Sequence, residues 1–291
     1  MKPREKKENM PSTYAADKAA TEYVTTGRAR YAYRAFGTPE QVPLVLLHRF
    51  RGTIDHWDPK FIDVLSAQRQ VIVFDSAGVG FSTGTVPDSV NGMAEAAADF
   101  IAALDYPAVD ALGWSMGGSV GLALALQRPG LVRKLIVAAS GPGDVPGTPP
   151  ASDCIPEIAL RDKNPDEDFL FLFFPETPEG RAAGLESLRR LDIRLLESQA
   201  DASPQAYQTQ LGAIAAWHSG KDTAWERLDE ITIPVLVANG AHDVMEPAFQ
   251  TYMMNQHLRN SKAILYGDAG HAFLFQHAED FGGEVLDFLA R

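Results

Sequence analysis

One serine, one histidine and one acid have the placement to do chemistry together. Ser115 stands in "VDALGWSMGGSVGLALALQRP" (residues 109–129), between Gly113 and Gly117, after a short apolar run and before a small-residue helix. G-x-S-x-G alone is a weak pattern, and its position gives it weight. Turning from strand to helix within so few residues forces the serine into a strained backbone conformation, at a cost of about 1–3 kcal/mol. Side chains at 113 or 117 would collide across so sharp a turn. The turn would lift the hydroxyl above the sheet edge and aim the Met116 amide at the same space.

A serine hydroxyl is a poor nucleophile without a base, and the base needs an acid to orient it. Of seven histidines, His271 lies in "YGDAGHAFLFQH", just past the last apolar run and between glycines that let a loop swing over a sheet edge. Asp243, in "PVLVANGAHDVMEP", follows an apolar run and a glycine turn and is the preferred acid. Its competitors are Glu246, Asp268 in the histidine loop and Asp144 in a Pro- and Gly-rich exit.

A tetrahedral intermediate needs two aligned N–H donors. Met116 offers one, and the amide of Phe50, in the loop "LLHRFRGTIDHWDP", is the candidate for the other. Arg49 beside it has two readings: holding a substrate carboxylate or carbonyl near Ser115, or, more plainly, pairing outward with Asp55 or Asp58. Trp114, Phe173 and Trp217 are the aromatic residues expected around substrate. The run "FLFLFF" (residues 169–174) could wall an apolar pocket, with packing inside a lid the plainer reading.

Positioning these residues requires regular elements. Short apolar runs at 42–48, 71–75, 109–114, 134–140, 234–239 and 263–266 read as buried strands. Helix-length stretches alternate with them, which means a mostly parallel sheet with helices on both faces. The alternation breaks between residues 141 and 228. There, Ser203 and Pro204 start a helix that puts Tyr207, Leu211, Ile214 and Trp217 on one face. The expected organisation is a mobile tail over 1–20, a core over 21–140 and 229–291, and a mainly helical cap over 141–228.

The 291 residues are 45% hydrophobic, enough to bury a substantial core. A net charge of −12 leaves no basic face for nucleic acid or an anionic membrane surface. A single cysteine, Cys154, permits no internal disulfide and suits a reducing cytoplasm. No apolar run reaches the length of a membrane span. The expected partner is a small-molecule substrate, and the apolar lid offers a surface for a homodimer.

Taken together, "GWSMGG", the D-x-x-G-x-G-x-S loop "FDSAGVGFS" (residues 74–82), "NGAHD" and "DAGH", with Ser115, Asp243 and His271 in that chain order, resemble the α/β-hydrolase superfamily from about Thr26 to Arg291. The resemblance is greatest to small capped bacterial serine hydrolases, which include enol-lactonases, carboxylesterases and cofactor-free haloperoxidases. It implies an α/β-hydrolase fold with a helical lid between two strands, a Ser115–Asp243–His271 triad, and acyl transfer without metal or organic cofactor. The substrate expected is an ester or lactone of a small, largely apolar carbonyl compound. Carbon–carbon bond hydrolysis and perhydrolysis use the same triad, and a ligand receptor of the same fold is the non-enzymatic alternative. The chain departs from the family at Arg49, where H-G-x-x-G would have glycine.

Overall fold

The computed structural model describes residues 13–198 and 200–291. Eight strands form one sheet in the order β1-β2-β4-β3-β5-β6-β7-β8. They are β1 (Glu22–Thr25), β2 (Arg30–Phe36), β3 (Leu44–Leu47), β4 (Val71–Phe74), β5 (Val109–Trp114), β6 (Val132–Ala138), β7 (Val235–Gly240) and β8 (Ser261–Tyr266). The pairings from β4 through β8 are parallel, while β1 and β2 join antiparallel at one edge. The six apolar runs are the six parallel strands. The edge hairpin carries no continuous apolar run, because β1 is mostly exposed and β2 is buried only over part of its length.

The central strands are apolar throughout because both faces are covered. In β3, Val45 and Leu47 pack into the layer that includes Phe100, Val120 and Met254. Leu44 and Leu46 pack into the layer of Phe61, Phe281 and Val285. The first layer belongs to α2 (Val90–Ala103), α3 (Met116–Gln127) and α8 (Ala248–His257). The second belongs to α1 (Pro59–Ser66), α9 (Phe273–Gln276) and α10 (Ala278–Ala290), whose buried Ala278, Phe281, Gly282, Val285, Leu286 and Leu289 recur at helical spacing.

Between β6 and β7 lie α4 (Ile155–Ala159), α5 (Asp166–Phe173), α6 (Pro178–Leu195) and α7 (Pro204–His218). Thr177 and Ser203 cap α6 and α7, accepting from the amides of Gly180 and Ala206, each with proline in the first turn. The aromatic run divides by face. Phe169, Leu172 and Phe173 line the large cavity, while Leu170 and Phe174 press on Gly184 of α6.

The tail expected over 1–20 needs correction at its end. Residues 1–12 lie outside the described residues. Beyond them, the amides of Ala15 and Ala16 both donate to the Asp63 carboxylate at 2.9 Å, Ala16 is buried, and Arg194 donates to the Ala19 carbonyl at 2.7 Å. Two adjacent N–H groups on one carboxylate dock this turn on α1.

Candidate active site

Ser115 follows β5 directly with φ 57° and ψ −128°, a left-handed conformation unfavourable to a residue with a Cβ. Its amide donates to the Ala138 carbonyl at 2.9 Å, and its carbonyl accepts from Gly118 at 2.7 Å, so both neighbouring elements hold the strained residue. The flanking glycines are steric necessities. A Cβ on Gly113 would lie 2.1 Å from the Gly117 carbonyl oxygen, and one on Gly117 2.2 Å from that of Leu47.

Asp243 and His271 come from the next strand ends but one and two. Gly240, closing β7, passes so near the histidine loop that a Cβ would lie 2.3 Å from the carbonyl oxygens of Ala269 and Gly270. The amides of Ala241 and His242 donate to Tyr266 and Ala269, knitting the acid loop to the histidine loop. His271 Nδ1 meets Asp243 Oδ2 at 2.7 Å with both side chains almost wholly buried. The other carboxylate oxygen accepts from the amides of Met245 and Glu246 at 2.8 and 3.0 Å. Among the described residues His271 Nε2 has no hydrogen-bond partner, and its ring lines the same cavity as Ser115.

The competing acids are engaged elsewhere. Glu246 meets His218 at 3.1 Å, Asp268 meets His277 at 2.9 Å, and Asp144 is exposed. In the His218 pair, burial works to lower the imidazole pKa, but the Glu246 carboxylate outweighs it and the net shift is upward.

Phe50 and Met116 both border the cavity. The loop carrying Phe50 closes as a turn, Gly52 N–H donating to the Arg49 carbonyl at 3.0 Å, and its left-handed residue is Arg51 at φ 55°. The substitution for glycine at position 49 is tolerated because Arg49 itself needs no positive φ. Arg51 braces the turn against the cap: its amide donates to Gln210 Oε1 at 3.0 Å, its guanidinium donates to the Arg161 carbonyl at 2.7 Å, and it stacks on Tyr207. This strut had no signal in the sequence, since its partners lie more than a hundred residues away.

The glycine-rich loop after β4 underpins the same turn. Asp75 accepts from the amides of Ile54 and Phe81, both at 2.8 Å, and Gly80 lies against its carboxylate. Burial raises Asp75 to about 7 against the pull of those two N–H donors.

Arg49 overturns the expectation of an outward ion pair. Asp55 is taken by Arg34 at 2.6 Å, and Asp58 by Arg190 at 2.7 Å. Arg49 instead turns into the cavity wall, its guanidinium carbon 5.1 Å from the Phe173 ring centroid and 5.6 Å from that of Trp114. Trp114 does not line the cavity as expected. It is buried behind it, where its indole N–H donates to the His271 carbonyl at 3.0 Å. Phe173 and Trp217 do line the cavity, and Trp217 anchors α7 by donating to the Gly141 carbonyl at 3.1 Å.

The cavity measures about 1220 Å³ and is roofed by the cap. The family profile of the alpha/beta hydrolase fold matches residues 42–278. The chain belongs to this family. The hydrolase is similar over 94% of its length to an alpha/beta hydrolase fold protein from Chitinophaga pinensis, covering 98% of that chain at 37% identity and a TM-score of 0.86. It is 31% identical over 261 residues to a pimeloyl-[acyl-carrier protein] methyl ester esterase from Neisseria meningitidis, covering 86% of this chain and 95% of the relative. The enol-lactonase from Burkholderia xenovorans shares the fold at a TM-score of 0.73 and 19% identity, over 93% of this hydrolase and 100% of that chain. Among the described residues, no helix is long and apolar enough to cross a membrane.

Proposed function

We propose that this hydrolase cleaves an ester or lactone through a serine acyl-enzyme. His271 Nε2 takes the proton from Ser115 Oγ as the oxygen attacks the substrate carbonyl. Asp243 holds the imidazole by Nδ1 and stabilises the imidazolium, and the amides of Met116 and Phe50 receive the oxyanion. Collapse expels the alkoxide, which takes its proton from His271. Water, deprotonated by the same nitrogen, then releases the acid.

The observation that carries this reading is the buried 2.7 Å Asp243–His271 contact, which commits Nδ1 and leaves Nε2 in the wall that Ser115 shares. The methyl ester esterase relative supports ester chemistry. The cavity is larger than the roughly 300–1,000 Å³ common for small-molecule sites. Its apolar stretch of Phe169, Leu172, Leu211 and Ile214 suits a substrate with a hydrocarbon body longer than a short acyl group.

A fluorophosphonate probe should label the protein at Ser115, and Ser115→Ala should abolish both labelling and turnover of 4-nitrophenyl esters. Turnover is expected to fall by about a millionfold, and adding His271→Ala should cost little more, because the triad acts as a unit. Undiminished ester turnover in Ser115→Ala would overturn the assignment.

A further inference from the structure

Among the described residues, the two buried arginines, Arg34 and Arg190, and the largely buried Arg69 are matched to carboxylates: Arg34 to Asp55, Arg190 to Asp58, Arg69 to Glu40 and Asp110. Arg49 is not. Among the described residues its Nη1 donates to the Phe50 carbonyl at 2.7 Å, its Nε is buried without a partner, and no carboxylate lies within ion-pair distance. Burial, and after it Arg51, lowers its pKa to about 10, while Asp201, which lines the same cavity, works the other way. At neutral pH it remains a cation.

Its position relates it to the reacting groups. The two rings under the guanidinium, Trp114 and Phe173, are the rings that flank the His271 imidazole, at 5.9 and 5.6 Å between centroids. The residue after it carries the amide assigned to the oxyanion. Arg49 lines the cavity with Nη1 spent on the Phe50 carbonyl, and a guanidinium with unspent N–H donors is the group that pairs best with a carboxylate. A desolvated cation without a counterion is unfavourable in the free protein, and an anionic ligand relieves that cost where a neutral one does not.

We propose that Arg49 is the anion-recognition residue of this cavity, and that the natural substrate is an ester or lactone bearing a carboxylate a few bonds from the carbonyl that Ser115 attacks. The proposal rests on the serine-hydrolase reading above and adds the substrate class to it. Discrimination against uncharged analogues follows from the pairing they leave unmade.

The test compares mono-4-nitrophenyl glutarate with 4-nitrophenyl pentanoate, which match in length and differ in one charge. The wild-type protein should favour the glutarate ester in kcat/KM. Arg49→Gln should lower the ratio of the two kcat/KM values by about 10- to 100-fold, and Arg49→Lys should recover part of it. In the wild-type protein alone, glutarate should protect Ser115 from the fluorophosphonate probe at concentrations where glutaramide does not. If the probe still labels Ser115 but the ratio is unchanged in Arg49→Gln, or glutaramide protects as well as glutarate, the substrate class is wrong while the triad stands. If both esters slow by the same factor, Arg49 serves the Phe50 turn rather than an anion, and the proposal fails. Absence of labelling and turnover in the wild-type protein would remove the serine-hydrolase reading itself.

Discussion

At the scale of single residues, the two oxygens of Asp243 have separate duties, which makes a sharp prediction available. Oδ1 is held by two backbone N–H groups and Oδ2 by His271. In Asp243→Asn the amide oxygen must stay with the N–H pair, so the NH₂ group faces His271 Nδ1. That nitrogen must then act as acceptor, the proton moves to Nε2, and the imidazole can no longer take the serine proton. Turnover should fall by about ten-thousandfold with the melting temperature nearly unchanged, as steady-state kinetics and calorimetry on the variant would show. Activity within tenfold of wild type would contradict the role. Asp243 was preferred in the sequence for following a strand and a glycine turn. What excluded Asp268 and Glu246 was their engagement with His277 and His218, which spacing does not encode.

At the scale of elements, the cavity wall is closed by a contact between α7 and the loop after β7, His218 to Glu246, with Gln250 donating to the same carboxylate at 2.9 Å. The histidine pKa is raised in the folded state, because the carboxylate outweighs burial. A raised pKa means that the pair's contribution is full below about pH 6.5, the unfolded value, and is lost as pH rises through the folded value. Glu246→Gln should therefore lower the melting temperature more at pH 5.5 than at pH 9. A pH-independent difference in calorimetric scans would show that the charge does not matter. The two-strand edge hairpin was missed in the sequence for a related reason. β1 is mostly exposed and β2 is only partly buried, so the apolar signal is weaker than in the doubly covered central strands.

At the scale of the whole molecule, cap and core are joined through a buried ion pair. Asp58 caps α1 through the Lys60 amide and accepts three hydrogen bonds from Arg190, two from Nε and one from Nη2, and one from Ser187, both residues on α6. Neither charged side chain is more than 10% exposed. Asp58→Asn keeps an acceptor for the Lys60 amide but leaves the Arg190 charge only its 3.8 Å contact with the half-exposed Glu186. We expect a loss of about 3–5 kcal/mol, read as a lower urea midpoint, together with faster proteolysis within residues 141–228. Adding Arg190→Met should restore part of the loss. An unchanged midpoint in the single variant would show that the cap is held by its apolar contacts alone.

What the sequence determined by itself were the features set by local sterics and by periodicity. Six parallel strands and the elbow glycines around Ser115 were legible, because each follows from backbone geometry or from apolar repetition within one segment, although β8, at the sheet edge, is apolar without being buried. The tertiary structure decided the residues whose state depends on distant partners. Arg49 had Asp55 and Asp58 within reach along the chain, and only the folded arrangement assigns those carboxylates to Arg34 and Arg190, from another strand and from the cap. Trp114 could not be separated from a cavity-facing aromatic until its indole was seen to hold the His271 carbonyl. An ion pair or a buried donor is settled by competition among all groups brought within a few ångströms, and that competition takes place only once the chain has folded.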